Sequence, residues 1–146
     1  MGAGRGAQRL FTAKAGADLS SESFVFVKYS STSTDANPVV ETTAAEDACG
    51  ILQIGAALGK QVEVAMLGGG NWSKLRASTT IAVGAKIGPT TGGEGVTVTA
   101  NKARYYAVAE EAATATDDVI VVETRDAYIS ACNNLKMEVK MGGLKK

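Results

Sequence analysis

The sequence predicts a mainly β fold: a small β-barrel or sandwich-like body with at most one or two short helices, an extended N-terminal arm and a C-terminal strand and tail. No segment of about ten residues or more keeps the helical period of about 3.6 residues. Glycine accounts for 17 of the 146 residues, which indicates many turns. Aromatic residues make up only 5% of the chain, so small and β-branched side chains must fill the core.

The length of 146 residues fits one domain with extensions. We predict an N-terminal arm over residues 1–22, because much of this segment is rich in Gly and Ala and its one apolar pair is Leu10-Phe11. The β-rich body spans residues 23–126. Residues 127–146 form a C-terminal extension.

Within the body, short apolar or alternating runs separated by Gly-rich and polar turns predict the strands. The run 23–29 is apolar on both faces, which indicates a central or interfacial strand. Gly84 lies inside the run 79–87 and predicts a bulge or bend there. The predicted strands cover residues 23–29, 39–40, 50–54, 61–66, 72–75, 79–87, 96–99, a run that opens at 105, and 119–122.

Two stretches of the body have a similar pattern, at 44–67 and 102–123. Each reads as a strand, a turn of small residues and a second strand. An offset of about 57 residues lays Ile51 on Val108 and Val64 on Val121. We therefore hypothesise a duplicated unit.

Positive charge is concentrated at both ends. Residues 1–14 contain Arg5, Arg9 and Lys14 and no acidic residue, giving +3, and residues 136–146 also sum to +3. The whole chain sums to zero, so the middle carries −6. Basic ends on an acidic body suit contact between identical neighbours or docking on an acidic surface. We predict partner contacts for Arg5, Arg9, Leu10 and Phe11; the alternative is that both ends are solvated tails.

The segment 135–141 alternates strictly and predicts an amphipathic strand. It pairs either with the parent sheet or with the edge of a neighbour's sheet. Trp72, beside a Gly run, is either a core residue or an interface anchor. We add Trp72 and the apolar face of the segment to the predicted interface residues: Leu135, Met137, Val139 and Met141.

The residues that carry most enzyme chemistry are scarce. The chain has no histidine, and its two cysteines, Cys49 and Cys132, read as buried free thiols. The carboxylate pairs 110–111 and 117–118 fit solvated turns. We therefore expect no catalytic residue, cofactor or metal site. The net charge of zero gives no case for nucleic-acid binding, and no run is long enough for a membrane span.

The hairpin around 81–87 and the stretch 107–122, within residues 44–123, resemble the small capsid decoration or cement proteins of tailed bacteriophages. The resemblance implies a barrel-like, non-enzymatic protein made in the host bacterial cytoplasm. It implies that the protein binds the major capsid protein on the outer capsid surface of the virion, as a dimer or trimer, and cements neighbouring capsomers against DNA pressure. The alternatives are a subunit of another phage assembly (a fibre, a tail tube or a major structural protein) and, from a different class, a small-ligand-binding β-barrel.

Overall fold

The computed structural model describes residues 8–30, 38–41 and 48–129, with the backbone alone over 38–41. Its ten strands form a five-stranded closed barrel and a second, five-stranded sheet. The described part of the chain contains no helix, so the predicted mainly β fold is confirmed. The barrel strands are β1 (Leu10–Ala15), β2 (Phe26–Tyr29), β3 (Pro38–Glu41), β4 (Gly50–Ile54) and β5 (Gln61–Met66). The second sheet contains β6 (Trp72–Arg76), β7 (Lys86–Pro89), β8 (Gly95–Thr97), β9 (Arg104–Ala109) and β10 (Val119–Tyr128), in the order β6-β10-β9-β7-β8.

Strand β1 closes the barrel, although we assigned its residues to the N-terminal arm. It pairs antiparallel with β5 and parallel with β3. The physical reason is that every second residue of this strand is apolar. Phe11, Ala13 and Ala15 turn inward and pack in the barrel core. The barrel interior is filled by these side chains together with Leu19, Val25, Val27, Leu52, Val62 and Val64.

The outer side of the barrel packs on the second sheet and forms a second core. In the run 25–27, Val25 and Val27 point into the barrel while Phe26 points to the sheet, which is the two-sided burial that the sequence predicted. Ile51 on β4 and Ala65 on β5 likewise point to the second sheet. Their partners from the sheet include Leu75, Ile87, Tyr106, Ala107, Ile120 and Val122.

Both stretches of the hypothetical duplication form antiparallel hairpins, but in different sheets. β4 and β5 pair in the barrel, whereas β9 and β10 pair in the second sheet. The strand pairing of the two hairpins differs by one residue. If the second hairpin copied the first at the offset of about 57 residues, Ala107 would pair with Glu123, but the structure pairs Ala107 with Thr124. The duplication stays a hypothesis.

The predicted strand 79–87 is interrupted. Ile81 makes an isolated bridge with Ala113, Gly84 takes a φ of 85°, and regular pairing resumes only at β7. Gly84 thus provides the predicted bend. At the other end of the body, β10 continues to Tyr128, past the predicted boundary at residue 126.

Candidate interaction surface

One end of the barrel gathers the ends of strands that are distant in sequence. β1 and β4 begin at this end, while β2 and β5 finish there. The Met66 N–H donates to the Arg9 carbonyl at 2.8 Å, and Met66 also lies opposite Gly50. Barrel closure therefore places the first residues of β1 beside the last residue of β5.

Large apolar side chains are exposed at this end. Leu10 is 44% exposed, Met66 is 42% exposed and Tyr29, at the end of β2, is 51% exposed. Arg9 is exposed beside them. We name Arg9, Leu10, Tyr29 and Met66 the barrel-end patch. Exposed apolar side chains together with Tyr and Arg have the composition of protein–protein contact surfaces.

The thiol next to the patch is unreactive at neutral pH. Burial raises the pKa of Cys49 to about 11, so the thiol remains protonated. Burial also raises the pKa of the nearby Tyr29 hydroxyl, with a smaller contribution from Cys49. The patch therefore carries no negative charge at neutral pH, and its polar chemistry comes from Arg9 and the Tyr29 hydroxyl. This suits contact with an apolar surface that carries acceptor or acidic groups.

Side-chain amides hold the chain that leads into the patch. Gln8 Nε2 donates to Gln53 Oε1 at 3.1 Å, and Gln53 Nε2 donates to Ser73 Oγ at 2.9 Å. These bonds connect the segment before β1 to the barrel and to the second sheet. The residue that precedes Arg9 is therefore fixed to the body, which lowers the entropic cost of binding through the patch.

Phe11 and Trp72 lie in other environments. Phe11 packs against the barrel core, and its predicted partner contact stays a prediction. Trp72 is half-buried on β6 opposite Glu123, on the face of the second sheet that points away from the barrel. Val108 and Lys86 continue the same row across β9 and β7. Arg5, Cys132, Leu135, Met137, Val139 and Met141 lie outside the described residues.

The acidic pairs have structural partners. Asp118 accepts hydrogen bonds from the N–H groups of Thr114 and Ala115, at 2.8 and 3.0 Å, and these bonds lower its pKa. Glu111 Oε1 accepts from the Val121 N–H at 2.9 Å. Each carboxylate thus supports the turn before β10. Among the residues described, no group of three or more His, Cys, Asp or Glu side chains could hold a metal ion. None of the described residues belongs to a helix that could cross a membrane.

The sequence suggested Arg9 and Leu10 as contact residues, which stays a prediction, and gave no sign that Tyr29 and Met66 are exposed at the same end of the barrel. Met66 belongs to an alternating strand, and it is on the same face of that strand as Val62 and Val64, which indicated a buried position. It is exposed because it ends its strand at the barrel mouth, and strand parity does not report that position. The exposed end of β2 at Tyr29 likewise becomes part of a surface only after the barrel closes.

Comparisons with known proteins identify the fold. No protein-family model matches the chain, and no curated protein sequence matches it. Among solved structures, the chain is similar to the crystal structure of the head fiber gp8.5 N base in bacteriophage phi29, with a TM-score of 0.65. The match covers 84% of this chain and 98% of that chain, at 16% sequence identity. At that identity the similarity establishes a shared fold.

Proposed function

We propose that the protein is a non-enzymatic structural protein of a phage head that binds the outer capsid surface and cements neighbouring capsomers. The observation that carries the proposal is the fold shared with the phi29 head fiber base over nearly the whole of that domain. The filled barrel interior supports a structural role over ligand binding, because the side chains of the core occupy the space that a ligand would need.

The barrel-end patch is the surface that we propose for capsid contact. Leu10 and Met66 supply apolar area, and Arg9 pairs with acidic groups of the major capsid protein. Packaged DNA presses outward on the joints between capsomers, and each bound copy adds contact area across a joint. If copies associate as a symmetric dimer or trimer, several modest contacts act together and bind strongly.

A fibre subunit is the second candidate. The solved structure with the shared fold is the base of a head fiber, so the same body also suits the attachment of a projecting fibre to the head. Both candidates require binding to the shell. They differ in their effect on the shell: a cement protein stabilises it, whereas a fibre base need only remain attached.

Co-sedimentation with DNA-free phage head shells tests the shared requirement. We expect the wild-type chain to pellet with shells in a saturable manner. The double variant Leu10→Lys, Met66→Lys should lose this binding, because it places two charges in the patch. Ile54→Lys, Leu58→Lys is the matched control, since these side chains are 58% and 64% exposed at the opposite end of the barrel. Equal binding by both variants would exclude the patch, and absence of wild-type binding would contradict the proposed function.

A further inference from the structure

The second sheet repeats the strand pairing of the barrel. In the barrel, β1 pairs antiparallel with β5 and parallel with β3, β2 joins β3 to β4, and β4 and β5 form a hairpin. In the second sheet, β6 pairs antiparallel with β10, β7 joins β8 to β9, and β9 and β10 form a hairpin. A parallel bridge from Ala77, just after β6, to Gly95 of β8 matches the pairing of β1 with β3. Strands β1 to β5 therefore correspond, in order, to β6 to β10.

The correspondence extends to an unusual backbone conformation before β2 and before β7. The Phe24 N–H donates to the Leu52 carbonyl at 2.7 Å, and the Gly84 N–H donates to the Ala109 carbonyl at 2.8 Å. Phe24 and Gly84 both have a positive φ, of 62° and 85°. Glycine adopts this conformation at little cost, whereas a bulky residue is strained in it. Contacts elsewhere must therefore hold Phe24 in place.

The barrel and the second sheet differ in how they close. In the barrel, β1 and β3 pair directly at two positions, one of which joins Lys14 to Pro38. In the described chain, the pairing of β6 with β8 is limited to the bridge between Ala77 and Gly95. Arg76 of β6 corresponds to Lys14, since each precedes the alanine that makes the last parallel contact. The second sheet is therefore open at Arg76, where the barrel is closed.

Residues 24–26 of the barrel bridge this opening. On one side, the Arg76 N–H donates to the Phe24 carbonyl at 2.6 Å. On the other side, the Phe26 N–H donates at 2.7 Å to the carbonyl of Gly93, which lies in the turn before β8. The Phe26 ring is fully buried in the core of the second sheet. The segment thus connects β6 to the turn that leads into β8.

We propose that residues 24–26 act as a closing strap for the second sheet, so that the second sheet is complete only when the barrel is folded. The dependence runs in one direction, because the barrel closes through its own β1–β3 pairing. The equivalent segment of the second sheet, 84–86, has exposed residues at Gly84 and Lys86 and bridges no second opening in the described chain. The strained φ of Phe24 directs its carbonyl to Arg76 while its N–H remains bonded to the barrel.

Amide hydrogen exchange at increasing urea concentration, measured by NMR on the full-length protein, tests the order of opening. The Leu52 and Ala109 amides are matched probes, because they donate to the equivalent carbonyls of Val25 and Ala85. We expect the Ala109 amide to lose its protection before the Leu52 amide. An Ala109 amide that remains protected after Leu52 has opened would overturn the proposal. Simultaneous loss at both amides would show that the barrel also depends on the second sheet, and would overturn the one-way dependence.

Two aspartate substitutions at equivalent core positions provide a second test. Val62 in the barrel is 1% exposed and Ile120 in the second sheet is 3% exposed, and each is the second residue of its strand. A buried, unpaired carboxylate disrupts the core that contains it. Ile120→Asp should abolish protection of the Ala109 amide and preserve that of Leu52, whereas Val62→Asp should abolish both.

The opposite pattern in these variants would contradict the strap. Protection of the Ala109 amide in Val62→Asp after loss at Leu52 would show that the second sheet closes without the barrel. Loss of Leu52 protection in Ile120→Asp would show that the barrel does not stand alone. None of these measurements involves capsid shells, so the strap can fail while the proposed function holds.

Discussion

Phe26 of the barrel and Tyr106 of the second sheet form a tilted ring pair, with centroids 5.7 Å apart and ring planes at 54°. Phe26 is fully buried and Tyr106 is 2% exposed. The pair lies in the core that joins the two sheets. This geometry, with rings tilted and centroids within about 7 Å, is favourable for aromatic pairs.

We expect Phe26→Ala to lower the free energy of unfolding by about 3–5 kcal/mol, because it leaves a cavity between the barrel and the sheet. Phe26→Leu keeps most of the volume and should cost much less. Urea denaturation monitored by the fluorescence of Trp72, which lies in the second sheet, provides the measurement. If the loss is below about 1 kcal/mol, the barrel does not depend on this interface for its stability.

The turn after β7 docks on the barrel through Gly93. The Phe26 N–H donates to the Gly93 carbonyl at 2.7 Å, and Gly93 has a φ of 82°. A Cβ at this position would come within 3.2 Å of the Phe26 nitrogen and closer still to its carbonyl oxygen. Gly92 also has a positive φ, of 92°, but a Cβ there would meet nothing within 4 Å.

Gly92→Ala should therefore cost only the conformational strain, about 1–2 kcal/mol. Gly93→Ala should cost clearly more, because it adds a clash with backbone atoms that cannot move away cheaply. Thermal unfolding of both variants by circular dichroism makes the comparison. Equal losses of stability would show that the turn is not pressed against β2.

Glu94 should make stability depend on pH. Burial, a hydrogen bond to Asp117 and the negative charge of Asp117 raise the pKa of Glu94 above its ordinary value of 4.5, and Glu22 adds to the shift. Arg76, 3.9 Å away, opposes it. The raised pKa means that the folded protein favours the protonated form. The stabilisation is fully present below pH 4.5 and is lost as pH rises through the raised pKa.

Glu94→Gln keeps the group neutral, so this variant should lack that contribution to the pH dependence and should be at least as stable as the wild type at pH 7. Urea midpoints measured across the acidic to neutral range would reveal the difference between the two proteins. Glu63→Gln, on β5 of the barrel, is the control for removal of one carboxylate. If wild type and Glu94→Gln change in parallel with pH, Glu94 is not the responsible group.

Local patterns predicted most strands but not the way they assemble. The alternation of Val62 and Val64 placed β5 correctly, and the two-sided apolar run around Phe26 indicated a strand between two cores. Strand β1 was not predicted because Ala13 and Ala15 are small and give only a weak alternating pattern. The Gly- and Ala-rich composition of the segment indicated an arm instead. The closed barrel also requires the parallel pairing of β1 with β3, a long-range contact that no local pattern reports.

The same limitation applies to the candidate surface. Leu10 and Met66 reach the same end of the barrel only through the pairing of β1 with β5, and they lie on opposite faces of the sheet there. The sequence suggested Leu10 as a contact residue from its position in a basic segment, but it gave no sign that Met66 is exposed at the same end of the barrel. Trp72 was identified by residue type, and the structure places it on the second sheet, on a different surface from the barrel-end patch.

The temperature at which DNA-filled heads release their DNA tests the cementing role most directly. The heads should come from a phage whose shells bind the protein in the sedimentation assay, and they should be compared with and without saturating protein. We predict a higher release temperature with the wild type and no increase with Leu10→Lys, Met66→Lys. An unchanged release temperature with wild-type protein bound at saturation would contradict the cementing role and favour the fibre subunit.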